Sequence, residues 1–225
     1  MKFIIDDADI KKIKEIYEYF PVDGVTTNPS ILAKSGRQPF DVLKEIREFI
    51  GQEAELHVQV ISNTAEGMIE DAERILKELG DNTFVKAPVT REGLKAIKIL
   101  SKRGVKITAT AIYTSMQAYL AGKAGADYAA PYVNRIDNLG ADGVQTAKDI
   151  HDIFKKNNFK TEVLAASFKN SQQVLELCKY GVGASTIACD VIEGLIKNAI
   201  VTSAVDVFTA DFEKLCGAGK TMKNC

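Results

Sequence analysis

Lys86 stands inside the apolar run Thr83-Phe84-Val85-Lys86-Ala87-Pro88. A lysine side chain that enters a packed interior loses hydration, which lowers its pKa and frees a neutral amine near pH 7. Such an amine attacks a carbonyl and forms an imine. A second reading pairs the same lysine with Asp6 for stability, and the run by itself leaves both readings open.

Other short apolar runs also end on polar residues. Asp6 ends the first, Asn28 the second, Thr110 the fifth, Tyr132 the sixth and Ser167 the seventh, while Gln59 lies near the end of the third. Period-2 alternation turns Phe84 with Lys86, Thr108 with Thr110 and His57 with Gln59 toward one shared face. Each residue has a plainer reading. Asp6 could cap a helix, although Asp7 and Asp9 cap equally well; Asn28-Pro29 is a common turn opener. Arg135, just past the sixth run, could grip a phosphate bidentately or form a solvated pair with Asp137. Ser167 opens the seventh loop, near where barrels build phosphate sites, and Lys169 either adds charge there or faces solvent. His57 lies one pleat below Gln59 and reads as a satisfied core histidine; His151 falls on an outer helix.

The elements that must position these residues alternate regularly. Strands are expected over Lys2–Asp6, Gly24–Asn28, Glu55–Ile61, Thr83–Pro88, Val105–Ala111, Asp127–Tyr132, Thr161–Ser167 and Ser185–Cys189. Helical stretches separate them: Ile10–Tyr19, Phe40–Ile50, Ala65–Leu79, Glu92–Arg103, Ser115–Ala124, Val144–Lys156, Ser171–Tyr180 and Val191–Ala199. Eight βα units with right-handed crossovers predict an α/β protein, a closed parallel (β/α)8 TIM barrel with every helix outside. An open doubly wound sheet would need a glycine-rich loop after the first strand, where Asp6-Asp7-Ala8-Asp9 stands instead. A further amphipathic helix is expected over Asp206–Leu215, and residues 1–225 read as one barrel domain with 201–225 as helix and tail. Gly217-Ala218-Gly219-Lys220-Thr221 is P-loop-like, but position 214 is Lys where that motif needs Gly, and no strand precedes it.

Composition narrows the partners. With 29 Lys plus Arg against 30 Asp plus Glu, net charge is −1, which gives no electrostatic case for nucleic acid or acidic membranes and favours small molecules. The N-terminus lacks a signal-peptide core, no stretch approaches the ~18 apolar residues of a membrane span, and the protein is expected in the cytoplasm. Cys178, Cys189, Cys216 and Cys225 lack metal-site spacing and are expected as reduced structural thiols.

Taken in order, Gly24-Val25-Thr26-Thr27-Asn28-Pro29-Ser30, Thr64-Ala65-Glu66-Gly67-Met68, Val85-Lys86-Ala87-Pro88-Val89-Thr90, Ala130-Pro131-Tyr132-Val133-Asn134-Arg135-Ile136-Asp137 and Ala165-Ala166-Ser167-Phe168-Lys169 resemble the transaldolase family, and within it the fructose-6-phosphate aldolase branch. The resemblance runs from Asp6 to the C-terminal helix. It implies that Lys86 is the Schiff-base lysine, that Asp6 and Asn28 assist imine formation and hold donor hydroxyls, and that Gln59, Thr110 and Tyr132 position a water and move protons. It also implies phosphate binding by Arg135 and Ser167, with Thr27 and Lys169 as further substrate-binding candidates, and neither metal nor organic cofactor. Members of this short type often assemble as decamers of two stacked pentamers, the C-terminal helix packing on a neighbouring subunit. The transaldolase branch carries glutamate where this chain has Gln59 and phenylalanine where it has Tyr132, so the pair implies a lyase cleaving fructose 6-phosphate, with transfer of a dihydroxyacetone unit as the alternative. Two departures, Ala87 for a bulkier residue and Ala188-Cys189 where proline is usual, bear on substrate preference.

Overall fold

The computed structural model describes all 225 residues. Strand β1 (Lys2–Asp6) leads to α1 (Ile10–Tyr19), and β2 (Gly24–Thr26) to α2 (Pro29–Lys34) and α3 (Pro39–Ile50). Then β3 (Glu55–Gln59) leads to α4 (Ala65–Leu79), β4 (Thr83–Pro88) to α5 (Arg91–Lys102), and β5 (Ile107–Ile112) to α6 (Ser115–Ala124). Next, β6 (Tyr128–Pro131) leads to α7 (Val133–Asp137) and α8 (Gly143–Lys156), and β7 (Glu162–Ala165) to α9 (Ser171–Tyr180). Last, β8 (Ala184–Ile187) is followed by α10 (Cys189–Gly194) and α11 (Ala199–Cys216). The eight strands form a closed parallel barrel in sequence order, sealed by β1 against β8 with Lys2 opposite Ala184 and Ile5 opposite Ile187. This is a (β/α)8 TIM barrel with an additional C-terminal helix, as the alternation predicts.

The helices start where side chains can satisfy orphan amides. Thr64, Thr90 and Asn170 accept from the backbone N–H groups of Gly67, Gly93 and Gln173, and Thr114 with Gln117 forms a reciprocal capping box; such a cap stabilises by about 1 kcal/mol. In α4 the buried set Ala65, Met68, Ala72, Ile75 and Leu79 keeps helical spacing and packs toward the outward strand residues. Each large side chain so buried contributes roughly 1.5–3 kcal/mol. A Cβ at Gly93 would lie 1.8 Å from the Pro88 carbonyl, so only glycine lets α5 start directly against the end of β4.

The structure adds two short helices. Both α2 and α7 span a few residues, below the length at which periodicity registers. At the C-terminus the eighth strand ends at Ile187 and Cys189 is already helical, while the expected helix Val191–Ala199 stops at Gly194. The last helix opens at Ala199, earlier than the expected Asp206, because Asn198 caps it through the Ile200 N–H. By compactness the chain divides into residues 1–192 and 193–225. In the second unit no residue of α11 is buried, and Ile200, Val201, Val205 and Phe208 are exposed. The expectation of four reduced thiols is corrected there: Cys216 and Cys225 form a disulfide with Cα atoms 6.0 Å apart. A turn in which the Asn224 and Cys225 amides donate to the Thr221 carbonyl brings the last residue back to the helix end. No helix is long and apolar enough to cross a membrane.

Inside the barrel the lower lumen is filled by Ile4, Phe84, Tyr128, Ala130, Leu164 and Ala184. Beside this layer lies a buried polar cluster. Glu55 is ion-paired with Lys2 and accepts from Tyr128 Oη at 3.3 Å and from His57 Nε2 at 3.2 Å. With Nε2 donating, His57 Nδ1 accepts from Thr108 Oγ1 at 2.8 Å, which fixes the neutral tautomer. The His57 ring stacks on Phe84 at 4.5 Å, so it is the satisfied core histidine expected.

Burial holds the His57 pKa down to about 4 against 6.5 when unfolded. Below pH 6.5 the unfolded chain therefore binds this proton first, and stability present above pH 6.5 is lost as pH falls toward 4. Burial pushes Glu55 up, but hydrogen bonds from His57 and Lys2 outweigh it and bring its pKa to about 2; its share is present above about 4.5 and is lost as pH falls toward 2. The His57 shift corresponds to on the order of 3 kcal/mol. Thermal midpoints of the parent should fall between pH 6.5 and 4, and His57→Gln, which cannot titrate, should fall less steeply. Equal slopes for the two proteins would remove His57 from the acid response.

Candidate active site

The C-terminal ends of the strands converge on a cavity of about 340 Å³. It gathers Asp6, Asn28, Gln59, Lys86, Thr110, Tyr132, Arg135 and Ser167, eight of the ten residues singled out from the sequence. They come from β1, β3, β4 and β5 and from the segments after β2, β6 and β7. The parallel registers set Gln59 beside Lys86 and Lys86 beside Thr108.

Lys86 is buried, and its Nζ donates to the Thr27 carbonyl at 2.8 Å. No carboxylate lies within ion-pair distance of Lys86, so the reading of a structural Asp6–Lys86 salt bridge is replaced by a desolvated amine held by a neutral acceptor. Burial pushes the Lys86 pKa below the ordinary lysine value, against the opposing pull of the Asp6 charge. Asp6 moves the other way, raised by burial although Lys86 and a hydrogen bond from Thr26 oppose the shift. Both shifts favour neutral side chains, the condition for amine attack and for a carboxyl able to pass a proton. Asp6 Oδ1 accepts from Thr26 Oγ1 at 2.8 Å, and Thr26 Oγ1 lies 2.6 Å from Thr186 Oγ1. These two threonines, to which no role was assigned from the sequence, orient the carboxyl; their signal was the inward parity of β2 and β8.

Asn28 opens a short helix where a turn was the plainer reading, and it lines the cavity as well. Its Oδ1 accepts from the Ile31 N–H at 3.0 Å and caps α2, with Pro29 in the first turn. Thr27 does not line the cavity: it is fully buried, its hydroxyl donates to the His57 carbonyl at 3.3 Å, and its own carbonyl holds Lys86. Lys169 also lies outside, with an exposed side chain and its backbone N–H donating to Gln173 Oε1.

Tyr132 Oη lies 2.9 Å from Thr110 Oγ1. The backbone after Tyr132 is tied to the segment after β7 by Val133 N–H to the Ala166 carbonyl and Asn134 N–H to the Ser167 carbonyl, each 2.9 Å. This tie starts α7 and sets the Arg135 guanidinium over the Tyr132 ring, 4.6 Å from its centroid. Asp137 is engaged elsewhere, accepting from the Gly143 N–H at 2.7 Å and Gln173 Nε2 at 2.6 Å, so the solvated Arg135–Asp137 pair does not form. Arg135 faces the solvent-open rim, where a guanidinium suits a dianion. Ser167 and Ala111 both line the cavity with positive φ, 63° and 58°, a backbone state that costs a non-glycine residue about 1–2 kcal/mol and clusters at functional sites. No group of three His, Cys, Asp or Glu side chains is arranged to hold a metal ion.

Tyr113, overlooked in the sequence, also lines the cavity and meets Tyr132 edge-on with ring centroids 5.6 Å apart. Strict alternation along β5 places it outside. The β5–β6 ladder shifts register between Ala109 and Ile112, and that shift turns Tyr113 inward.

The family model described as transaldolase/fructose-6-phosphate aldolase matches residues 3–223. A probable transaldolase of Hydrogenobaculum is 40% identical over 215 residues, covering 96% of this chain and 98% of its own. A probable transaldolase of Geotalea daltonii is 42% identical over 96% and 99% of the two chains. A probable fructose-6-phosphate aldolase of Streptococcus pneumoniae is 43% identical over 94% and 96%. With a family model spanning nearly the whole barrel and relatives of this identity matched almost end to end, the chain belongs to the transaldolase/fructose-6-phosphate aldolase family of enzymes.

Proposed function

We propose that this enzyme is a Schiff-base aldolase that reversibly cleaves fructose 6-phosphate to dihydroxyacetone and glyceraldehyde 3-phosphate. The observation that carries the reading is a phenol, Tyr132, hydrogen-bonded to Thr110 in the same cavity as a desolvated lysine and an uncharged Gln59. Neutral Lys86 attacks the ketose carbonyl, Asp6 passes the proton that lets water leave, and an imine forms. The 4-hydroxyl gives its proton to the Asp6 carboxylate so formed, the C3–C4 bond breaks, and its electrons move to the protonated imine nitrogen as an enamine while the phosphorylated aldehyde departs. A transferase must keep that enamine for another aldehyde; a lyase must protonate and hydrolyse it. Tyr132 supplies or relays the proton, and Gln59 with Thr110 orients the hydrolytic water. Arg135 and Ser167 take the phosphate, with Asn28 on the donor hydroxyls, while Thr27 acts through its carbonyl on Lys86. The relatives' names divide between transaldolase and aldolase, and the Gln59–Tyr132 pair favours the lyase.

Borohydride added with dihydroxyacetone should trap one adduct per chain, on Lys86, and Lys86→Met should abolish it; peptide mass mapping locates the site. The neutral amine is the reactive form, so the rate of trapping should rise with pH and level off below the ordinary lysine value of 10.5. Trapping at Lys95 or Lys98, or a plateau only above pH 10.5, would overturn the Lys86 mechanism.

General acid–base assistance is worth roughly 100- to 10,000-fold. Tyr132→Phe should therefore slow fructose 6-phosphate cleavage by about that range and leave trapping at Lys86 intact, as read by coupled detection of glyceraldehyde 3-phosphate. Unchanged cleavage in Tyr132→Phe, or parent turnover only when erythrose 4-phosphate is supplied, would make the enzyme a transaldolase.

The uncovered apolar side chains of α11 support a homo-oligomer, in keeping with the pentamer-based assembly implied by the resemblance. Analytical ultracentrifugation should show a species several times the 24.6 kDa chain; a monomer at micromolar concentration would refute it.

A further inference from the structure

Between Ala109 and Ile112 the β5–β6 ladder takes three steps on β5 for two on β6, since Ala109 pairs with Ala129 and Ile112 with Pro131. The extra residue is absorbed where Ala111 adopts φ 58°. Inward parity then passes from Thr110 to Tyr113, and Ile112 is fully buried outside the cavity. A bulge of this kind re-aims a side chain at a cost in backbone strain. What it delivers is a second ring beside the first: Tyr113 meets Tyr132 edge-on with centroids 5.6 Å apart, and the Arg135 guanidinium lies 4.6 Å over the Tyr132 ring. The Tyr113 hydroxyl is also a hydrogen-bond partner of the Arg135 guanidinium and raises its pKa. The rim cation and the phenol that meets Thr110 at 2.9 Å are therefore in contact through one ring, and Tyr113 braces both.

We propose that Tyr113 is a positioning residue that couples Arg135 to the Tyr132 phenol, so that a dianion at the rim speeds the proton step on the Lys86 adduct as well as tightening binding. A phosphate that draws on the guanidinium changes the charge resting on the Tyr132 ring and the orientation of its hydroxyl. The inference rests on the aldolase reading above and extends it to how the substrate's remote phosphate drives chemistry.

The partial reaction that isolates this step is hydrogen exchange into dihydroxyacetone. Lys86 forms the imine with loss of water; a carbon–hydrogen bond next to it breaks, its electrons form the enamine and its proton goes to solvent water. A deuteron from deuterium oxide, relayed by Tyr132, then returns to carbon, and hydrolysis frees the labelled ketone. No aldehyde or phosphate takes part, so inorganic phosphite can be added as the rim dianion at constant ionic strength and the exchange followed by proton NMR. The expected result is acceleration by phosphite of about tenfold, a fraction of the assistance a positioned acid or base provides. Tyr113→Phe should weaken the acceleration and Tyr113→Leu should remove it, with borohydride trapping at Lys86 retained in both; Arg135→Ala should remove it as well. Exchange that ignores phosphite in the parent, or a phosphite response in Tyr113→Leu equal to the parent's, overturns the coupling while leaving the aldolase reading in place. Failure of dihydroxyacetone to be trapped on Lys86 in the parent overturns both.

Discussion

The site depends on one unfavourable act, the removal of the Lys86 amine from water. A buried ammonium costs several kcal/mol unless an opposite charge and further hydrogen bonds compensate, and here its direct partner is a single carbonyl, that of Thr27. The protein therefore gains by keeping the amine neutral, which is also the form able to attack a carbonyl. Its neighbours respect that constraint: Asp6 is itself pushed toward neutrality, and Gln59, beside Lys86 in the β3–β4 register, carries no charge.

The two ends of the lumen handle titratable groups in opposite ways. At the N-terminal end Glu55 gathers Lys2, His57 and Tyr128 and stays ionised, which is stabilising and chemically inert. At the C-terminal end Asp6 and Lys86 share a cavity without a direct bridge, and their pKa values move toward each other. A carboxyl and an amine displaced in this manner can exchange protons with a substrate near neutral pH. A carboxyl and an amine are thus paired at one end, with the carboxylate ionised, and both pushed toward neutrality at the other, according to hydration and partners.

Backbone strain is spent where aim matters. The two non-glycine residues of the cavity with positive φ, Ala111 and Ser167, flank the Tyr132–Arg135 segment. The Ser167 carbonyl holds the Asn134 N–H and so starts the short helix that sets Arg135 above Tyr132. Ala111 shifts the parity of β5 and brings Tyr113 edge-on to the Tyr132 ring. Three side chains from two loops become one unit because the strands beneath them hold the loop ends rigid.

The alternation of eight strands with amphipathic helices, and hence the closed barrel, is legible in the residue pattern alone, since period-2 and period-3.6 patterns depend only on which residues face a core. The same pattern also located Asp6, Gln59, Lys86, Thr110 and Tyr132, because regular strands carry parity forward and barrel chemistry sits at strand ends. Tertiary structure decided what parity could not. The bulge at Ala111 broke the alternation and brought in Tyr113; Asp137 was claimed by Gly143 and Gln173, which separated it from Arg135; Thr27 turned its hydroxyl to the His57 carbonyl and left only its own carbonyl for Lys86. These outcomes are competitions among hydrogen-bond partners distant in sequence and adjacent only after the barrel closes, so no local pattern encodes them.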